Sequence, residues 1–153
     1  MSKAWRIVKT RYAASAFDGE GARRFGGRRS SKGVRVVYTA ESVALAVLEV
    51  LVHLDSSDVL TAYSLCSAEF DDSLVERLDE SALPANWRDY PAPAELQRIG
   101  DEWVASSSSA VLEVPSVIVE TESNYLLNPA HPDFTSLKLG TPRPFEFDPR
   151  LLE

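Results

Sequence analysis

Gly26-Gly27-Arg28-Arg29-Ser30-Ser31-Lys32-Gly33-Val34-Arg35-Val36-Val37-Tyr38-Thr39-Ala40-Glu41-Ser42-Val43-Ala44-Leu45-Ala46-Val47-Leu48-Glu49-Val50-Leu51-Val52-His53 changes character twice. Its first eight residues end a glycine- and arginine-rich loop over 17–33 that holds five of the seven glycines, so the backbone there bends sharply or approaches something closely. The β-branched and aromatic run 34–39 then predicts a strand. Thr39 or Ser42 offers an N-cap for a helix at about 42–54 that is apolar almost all round, and such a helix is expected to be buried.

Glu49 breaks that helix's composition. At 100° per residue it falls beside Leu45, Leu48 and Val52, inside the apolar sector, with His53 one turn further on. A desolvated carboxylate without a partner costs several kcal/mol, on the order of 2–7, so it has to meet a cation, a hydrogen-bond donor or a wet pocket. A buried salt bridge or a helix edge reaching solvent satisfies the same requirement as a reactive site.

Working outward, 5–8 reads as a first strand, 55–57 as a turn and 60–70 as a strand in which Cys66 is a small buried hydrophobe. A short helical pattern and a proline-punctuated connection fill 71–93. A helix follows over 94–106, with Leu96, Ile99, Trp103 and Val104 near one face. Two strand-like runs, 110–114 and 117–119, are broken at Pro115-Ser116. The segment 122–134 is dense in turn formers, and 145–148 alternates like a last strand. The pattern is α+β, with strands at both ends of one expected domain, 1–153.

Lys+Arg 16 against Asp+Glu 23 gives 16 − 23 = −7. The balance is uneven: residues 1–35 carry ten cations against Asp18 and Glu20, or +8, and the remainder carries 6 − 21 = −15. So acidic a remainder disfavours nucleic acid, while the basic block 23–35 is a local anion-binding surface or a solvated face. One cysteine and two histidines leave no disulfide framework and no metal constellation. Charges interrupt every apolar run near the N-terminus, so no signal peptide is visible. A soluble cytoplasmic protein without a membrane partner is expected.

The chain has no phosphate-binding P-loop, dinucleotide fingerprint, zinc-protease motif or nucleophile elbow. What remains is Arg28, Tyr38 and Glu49. Arginine clamps a diphosphate bidentately, a phenol stacks on a base or sugar, and a carboxylate stabilises a cation developing at a sugar carbon. Together they suit a nucleotide whose glycosidic bond is cleaved.

The segment 26–42 with 46–53, and the later segments Val114-Pro115-Ser116-Val117-Ile118-Val119 and Asn124-Tyr125-Leu126-Leu127-Asn128-Pro129-Ala130-His131-Pro132-Asp133-Phe134, resemble the two halves of a RES-domain protein. The family's Arg, Glu and Ser map onto Arg28, Glu49 and Ser116. The resemblance implies a fold like that of the ADP-ribosyltransferase toxins. It also implies a toxin of a type II toxin–antitoxin pair that cleaves the nicotinamide–ribose bond of NAD⁺, with water or inorganic phosphate as acceptor and no further cofactor. The implied partner is an Xre-type antitoxin covering the active site, with a larger toxin–antitoxin assembly open. Arg28 would bind the phosphates, Tyr38 would pack on the nicotinamide-ribose end, and Glu49 would stabilise the oxocarbenium-like transition state. Ser116 and Asn128 would supply pocket hydrogen bonds.

The chain departs from the family at Arg28-Arg29-Ser30, where members commonly have Arg-Trp-Asn, and at Lys32, where proline is common. Arg29 is expected to be solvated. Transfer of ADP-ribose to a macromolecule and a nucleic-acid-binding module built on 23–35 are the competing functions. His53 reads as a capping group and His131 as a loop-ordering side chain.

Overall fold

The computed structural model describes residues 1–55, 58 and 61–152. The turn expected at 55–57 falls largely outside them, as does the start of the strand expected from 60. The strands among the described residues are β1 (Ser2–Lys9), β2 (Val37–Ala40), β3 (Tyr63–Phe70), β4 (Val75–Arg77), β5 (Val111–Pro115), β6 (Ser123–Leu127), β7 (Lys138–Leu139) and β8 (Arg143–Phe145). The helices are α1 (Glu20–Phe25), α2 (Val43–Leu51) and α3 (Ala94–Ser106), with short 3-10 turns between elements. The α+β content is as expected. The strands form one mixed sheet in the order β4-β5-β6-β2-β1-β3-β7, with β8 also pairing β3. Among the described residues only β4 and β5 run parallel.

Strand β1 extends well past the expected 5–8 because it pairs with β3 without interruption from Ser2 opposite Phe70 to Lys9 opposite Tyr63. Strand β2 begins later than expected, at Val37, where its partner β6 ends at Leu127. Residues 123–127 form a central strand, although 122–134 reads as turn. Pairing on both sides, with β2 and with β5, overrides the local preferences of Ser123 and Asn124. Residues 117–119 stay outside the sheet, because the Ser116 hydroxyl accepts from the backbone N–H groups of Ile118 and Val119 at 3.1 Å each and turns the chain.

Strand alternation divides the core. Ala4, Val37, Ala68, Phe70, Val111 and Leu127 pack on one face. On the other, Tyr38, Leu112, Val114 and Leu126 meet Trp103 of α3, while Ile7, Ala40 and Leu65 meet Leu45 and Ala46 of α2. Both longer helices therefore cover one face, and the site lies between them.

The expectation of a buried helix at 42–54 needs correction. Ser42 caps α2 by accepting from Leu45 N–H at 3.0 Å, but the helix stops at Leu51 and buries only Leu45 and Ala46. Leu48 is 38% exposed and Val52, just past its end, 60%. A helix lying on a single sheet layer buries one stripe, and among the described residues nothing covers the other side.

Candidate active site

The glycine-arginine loop closes into a tight turn at 27–30, where Gly27 N–H donates to the Ser30 carbonyl at 2.9 Å. Two elements hold this turn. From β2, the Tyr38 phenol oxygen accepts from Arg29 N–H at 3.1 Å and is hydrogen-bonded to the Ser30 hydroxyl at 2.6 Å. From α3, the Gln97 amide donates to the carbonyls of Gly27 at 2.9 Å and Ser30 at 3.2 Å, and Asp101 accepts from Ser31 N–H at 2.9 Å. Gly100 lies against the Arg29 carbonyl so closely that any Cβ would collide with it. Gly27 faces the Tyr38 phenol in the same way. The turn's backbone is thus satisfied from both sides, which fixes where its two arginines leave it.

The Nη2 of Arg28 donates to the carbonyls of Trp87 at 3.0 Å and Asp89 at 2.5 Å, and its Nε is sealed without a partner. Arg29 is not solvated, contrary to expectation: it is 6% exposed and its Nη2 donates to the Pro115 carbonyl at 2.6 Å. The tight grip of α3 on the turn draws the side chain inward. Among the described residues neither guanidinium makes a carboxylate salt bridge. Burial lowers both from the ordinary arginine value, Arg29 to about 10, with Glu49 opposing the shift in each case.

Glu49 projects from α2 one turn beyond Leu45 and is half-buried. Burial raises its carboxyl above the usual range, against the Asn124 amide, His53, Arg29 and Arg28, which favour the charged form. Asn124 Nδ2 donates to Glu49 Oε1 at 3.1 Å. The sheet register explains the grouping: Asn124 stands opposite Ala40 of β2 and Val114 of β5, and Pro115, which receives Arg29, stands opposite Ser123.

Arg29 and Glu49 thus hold neighbouring positions across β5 and β6, through Pro115 and Asn124, with Arg28 within electrostatic reach of Glu49 and Tyr38 supporting the turn from which both arginines leave. The Tyr38 hydroxyl is engaged beneath the turn, and burial raises its pKa. Ser116 lies next to Pro115, fully buried, with its oxygen accepting from the following loop. Asn128 does not join the cluster. It sits just past the opposite end of β6 from Asn124, is fully buried, and its Oδ1 accepts from Ala130 N–H at 3.0 Å. His131 orders its loop, its Nδ1 accepting from Asp133 N–H at 3.0 Å.

Gln97, Gly100 and Asp101 went unrecognised in the sequence, although their i, i+3, i+4 spacing marks one face of α3. Asn124 was hidden in a stretch that reads as turn. A cavity of about 530 Å³ borders Trp87 and Pro115, but it contains none of the expected residues, and its Glu80 and Glu120 disfavour a diphosphate. The basic segment 23–35 is largely spent: Arg23, Arg24 and Arg35 all pair with Glu20, and Arg28 and Arg29 turn inward. Such a surface is poorly suited to a polyanion. Among the described residues no group of three or more ligating side chains could hold a metal ion. No helix among them is long and apolar enough to cross a membrane.

Comparison with known proteins places this geometry in context. The sequence profile of the RES domain matches residues 3–148. A Yersinia enterocolitica protein named Toxin Res is 48% identical over 148 residues, covering 96% of this chain and 97% of the relative. A Sphingobium protein named Prs ADP-ribosylating toxin is 39% identical over 153 residues, covering 97% and 95%. The crystal structure of the M. tuberculosis MbcT–MbcA toxin–antitoxin complex contains a chain of the same fold, with TM-score 0.77 at 19% identity over 94% of this chain and 84% of that one. With a matching profile over almost its whole length and close relatives matched end to end, the chain belongs to the RES domain family.

Proposed function

We propose that the chain is the toxin of a toxin–antitoxin pair and that its site cleaves the nicotinamide–ribose bond of NAD⁺, with water or inorganic phosphate as acceptor. In that reaction the N-glycosidic bond breaks and its electron pair leaves with nicotinamide, which departs neutral. The cation developing at the ribose carbon is quenched by the acceptor oxygen, whose proton passes to solvent.

The observation that carries this reading is the grouping of Arg28, Arg29 and Glu49: two guanidiniums that make no carboxylate salt bridge among the described residues, within electrostatic reach of a half-buried carboxylate, with Arg29 and Glu49 held at neighbouring positions by Pro115 and Asn124. The guanidiniums suit the diphosphate and the carboxylate suits the sugar cation. Tyr38 acts through the turn it supports, as a positioning residue. Incubating the purified protein with NAD⁺ tests the proposal. Free nicotinamide should appear with ADP-ribose in phosphate-free buffer or with a phosphorylated ADP-ribose when phosphate is supplied. A folded, antitoxin-free sample that releases none overturns it.

The printed name of the Sphingobium relative favours a second reading, in which the ADP-ribose unit passes to a macromolecule. NAD⁺ labelled in the adenylate would then leave label on protein or nucleic acid. An antitoxin partner is supported by the toxin–antitoxin complex in which one chain has this fold, and we propose that the partner is of the Xre type. The exposed Leu48 and Val52 beside Glu49 are the surface that such a partner, covering the site, would bury.

A further inference from the structure

To face a cationic sugar carbon, Glu49 has to be both charged and aimed, and its burial opposes the first. The groups acting on it are His53 from its own helix, Arg28 and Arg29 from the turn, and Asn124 from β6. Among the described residues Asn124 alone reaches hydrogen-bond distance, with Nδ2 3.1 Å from Oε1. The same nitrogen donates to the Thr39 carbonyl at 3.2 Å. That second contact settles the orientation of the amide. A carbonyl only accepts, so turning the amide over would set Oδ1 against the Thr39 oxygen and against the carboxylate at once. The position is equally fixed, because Asn124 is paired on both sides within the sheet.

We propose that Asn124 is a positioning residue for the reaction: it presents a fixed N–H to Glu49 Oε1, which keeps the carboxylate charged and leaves Oε2 for the substrate. The proposal rests on the assignment of Glu49 to the sugar cation. A donor locked towards a carboxylate lowers the free energy of its ionised form, which is the form that can stabilise a cation. Losing the donor should therefore raise the pH at which the site switches on.

Two variants test this through nicotinamide release measured across about pH 4–9. Asn124→Asp keeps the shape but sets a second carboxyl against Glu49, and Asn124→Ala removes the donor. The acidic limb of kcat should move up by about one pH unit or more in the first and by less in the second. At neutral pH kcat should fall roughly tenfold or more, with KM for NAD⁺ changed little. A readout in the wild-type protein needs neither turnover nor a foldable variant: the side-chain amide signals of Asn124 should titrate together with the Glu49 carboxyl carbon in NMR spectra. In Glu49→Gln that titration should vanish. Amide signals that stay flat while Glu49 titrates overturn the proposal, as do folded variants that keep the wild-type acidic limb and kcat. A coupled titration in a wild-type protein that releases no nicotinamide overturns the NAD⁺ assignment while upholding the hold of Asn124 on Glu49.

Discussion

The arginine turn at 27–30 and helix α2 have exchanged the environments that their compositions suggest. The turn is polar and charged, yet Arg29 and Ser30 are buried. The helix is almost wholly apolar, yet Leu48 and Val52 face outward. The turn goes inside because Tyr38, Gln97 and Asp101 satisfy its backbone and carbonyls receive its guanidiniums. The helix stays outside because only one layer lies beneath it. Burial here follows the supply of partners, and hydrophobicity alone misplaces both regions.

The sharpest way to break the contrast is Glu49→Gln, which removes the one charge of α2 that faces the turn. Nicotinamide release should fall about 10²–10³-fold, the usual cost of losing one electrostatic stabiliser of a transition state. Stability should move the other way. The Glu49 carboxyl titrates higher in the folded chain than in the unfolded chain, so folding takes up a proton between the two values. Its cost to stability is absent below the ordinary carboxyl range, grows as pH rises through that window and is complete above it. Melting at neutral pH should therefore rise by about 1–3 °C in the variant, and the gain should disappear in acid.

Gly100→Ala attacks the turn from the other side. A methyl group driven into the Arg29 carbonyl forces the turn off α3, with a cost of about 1–3 kcal/mol in urea unfolding and a higher KM for NAD⁺. Arg29→Met is gentler: it keeps the length of the side chain, leaves the Pro115 carbonyl unpaired and removes one cation. A loss of about 1 kcal/mol and a roughly tenfold rise in KM, with kcat nearly unchanged, would place Arg29 in ground-state binding. An unchanged KM would leave Arg28 as the sole anion contact.

The same exchange of environments explains what was legible in the sequence. Helix α3 was readable to the residue because its apolar stripe and its environment agree. Arg28, Tyr38 and Glu49 were readable because each is anomalous where it stands: an arginine among glycines, a phenol in a β-branched run, a carboxylate in an apolar helix. Strand β6 was illegible because Ser123 and Asn124 favour turns on their own and become strand only between β2 and β5. Asn124 was lost with it. Arg29 was misplaced because a charged surface residue is the ordinary case, and its burial depends on α3, some 70 positions along the chain. Local pattern cannot carry information that only long-range pairing creates.

The smallest expected effect on the molecule itself comes from the helix's outer face. Leu48→Lys with Val52→Lys places two charges where both side chains already meet solvent, so stability should change by no more than about 0.5 kcal/mol. Both sites lie within one turn of Glu49, and the lysines attract NAD⁺ only weakly through screened water, so nicotinamide release should stay within about twofold. A partner that covers the site, however, has to seat this stripe. Burying an ammonium without a partner costs several kcal/mol, on the order of the binding energy of a modest interface. Co-expression with the cognate antitoxin should therefore yield a double variant that folds, turns over NAD⁺ and is no longer held in check. A variant inhibited as tightly as the wild type would show that the apolar outer face of α2 is left bare in the complex, and that its composition answers to something other than the antitoxin.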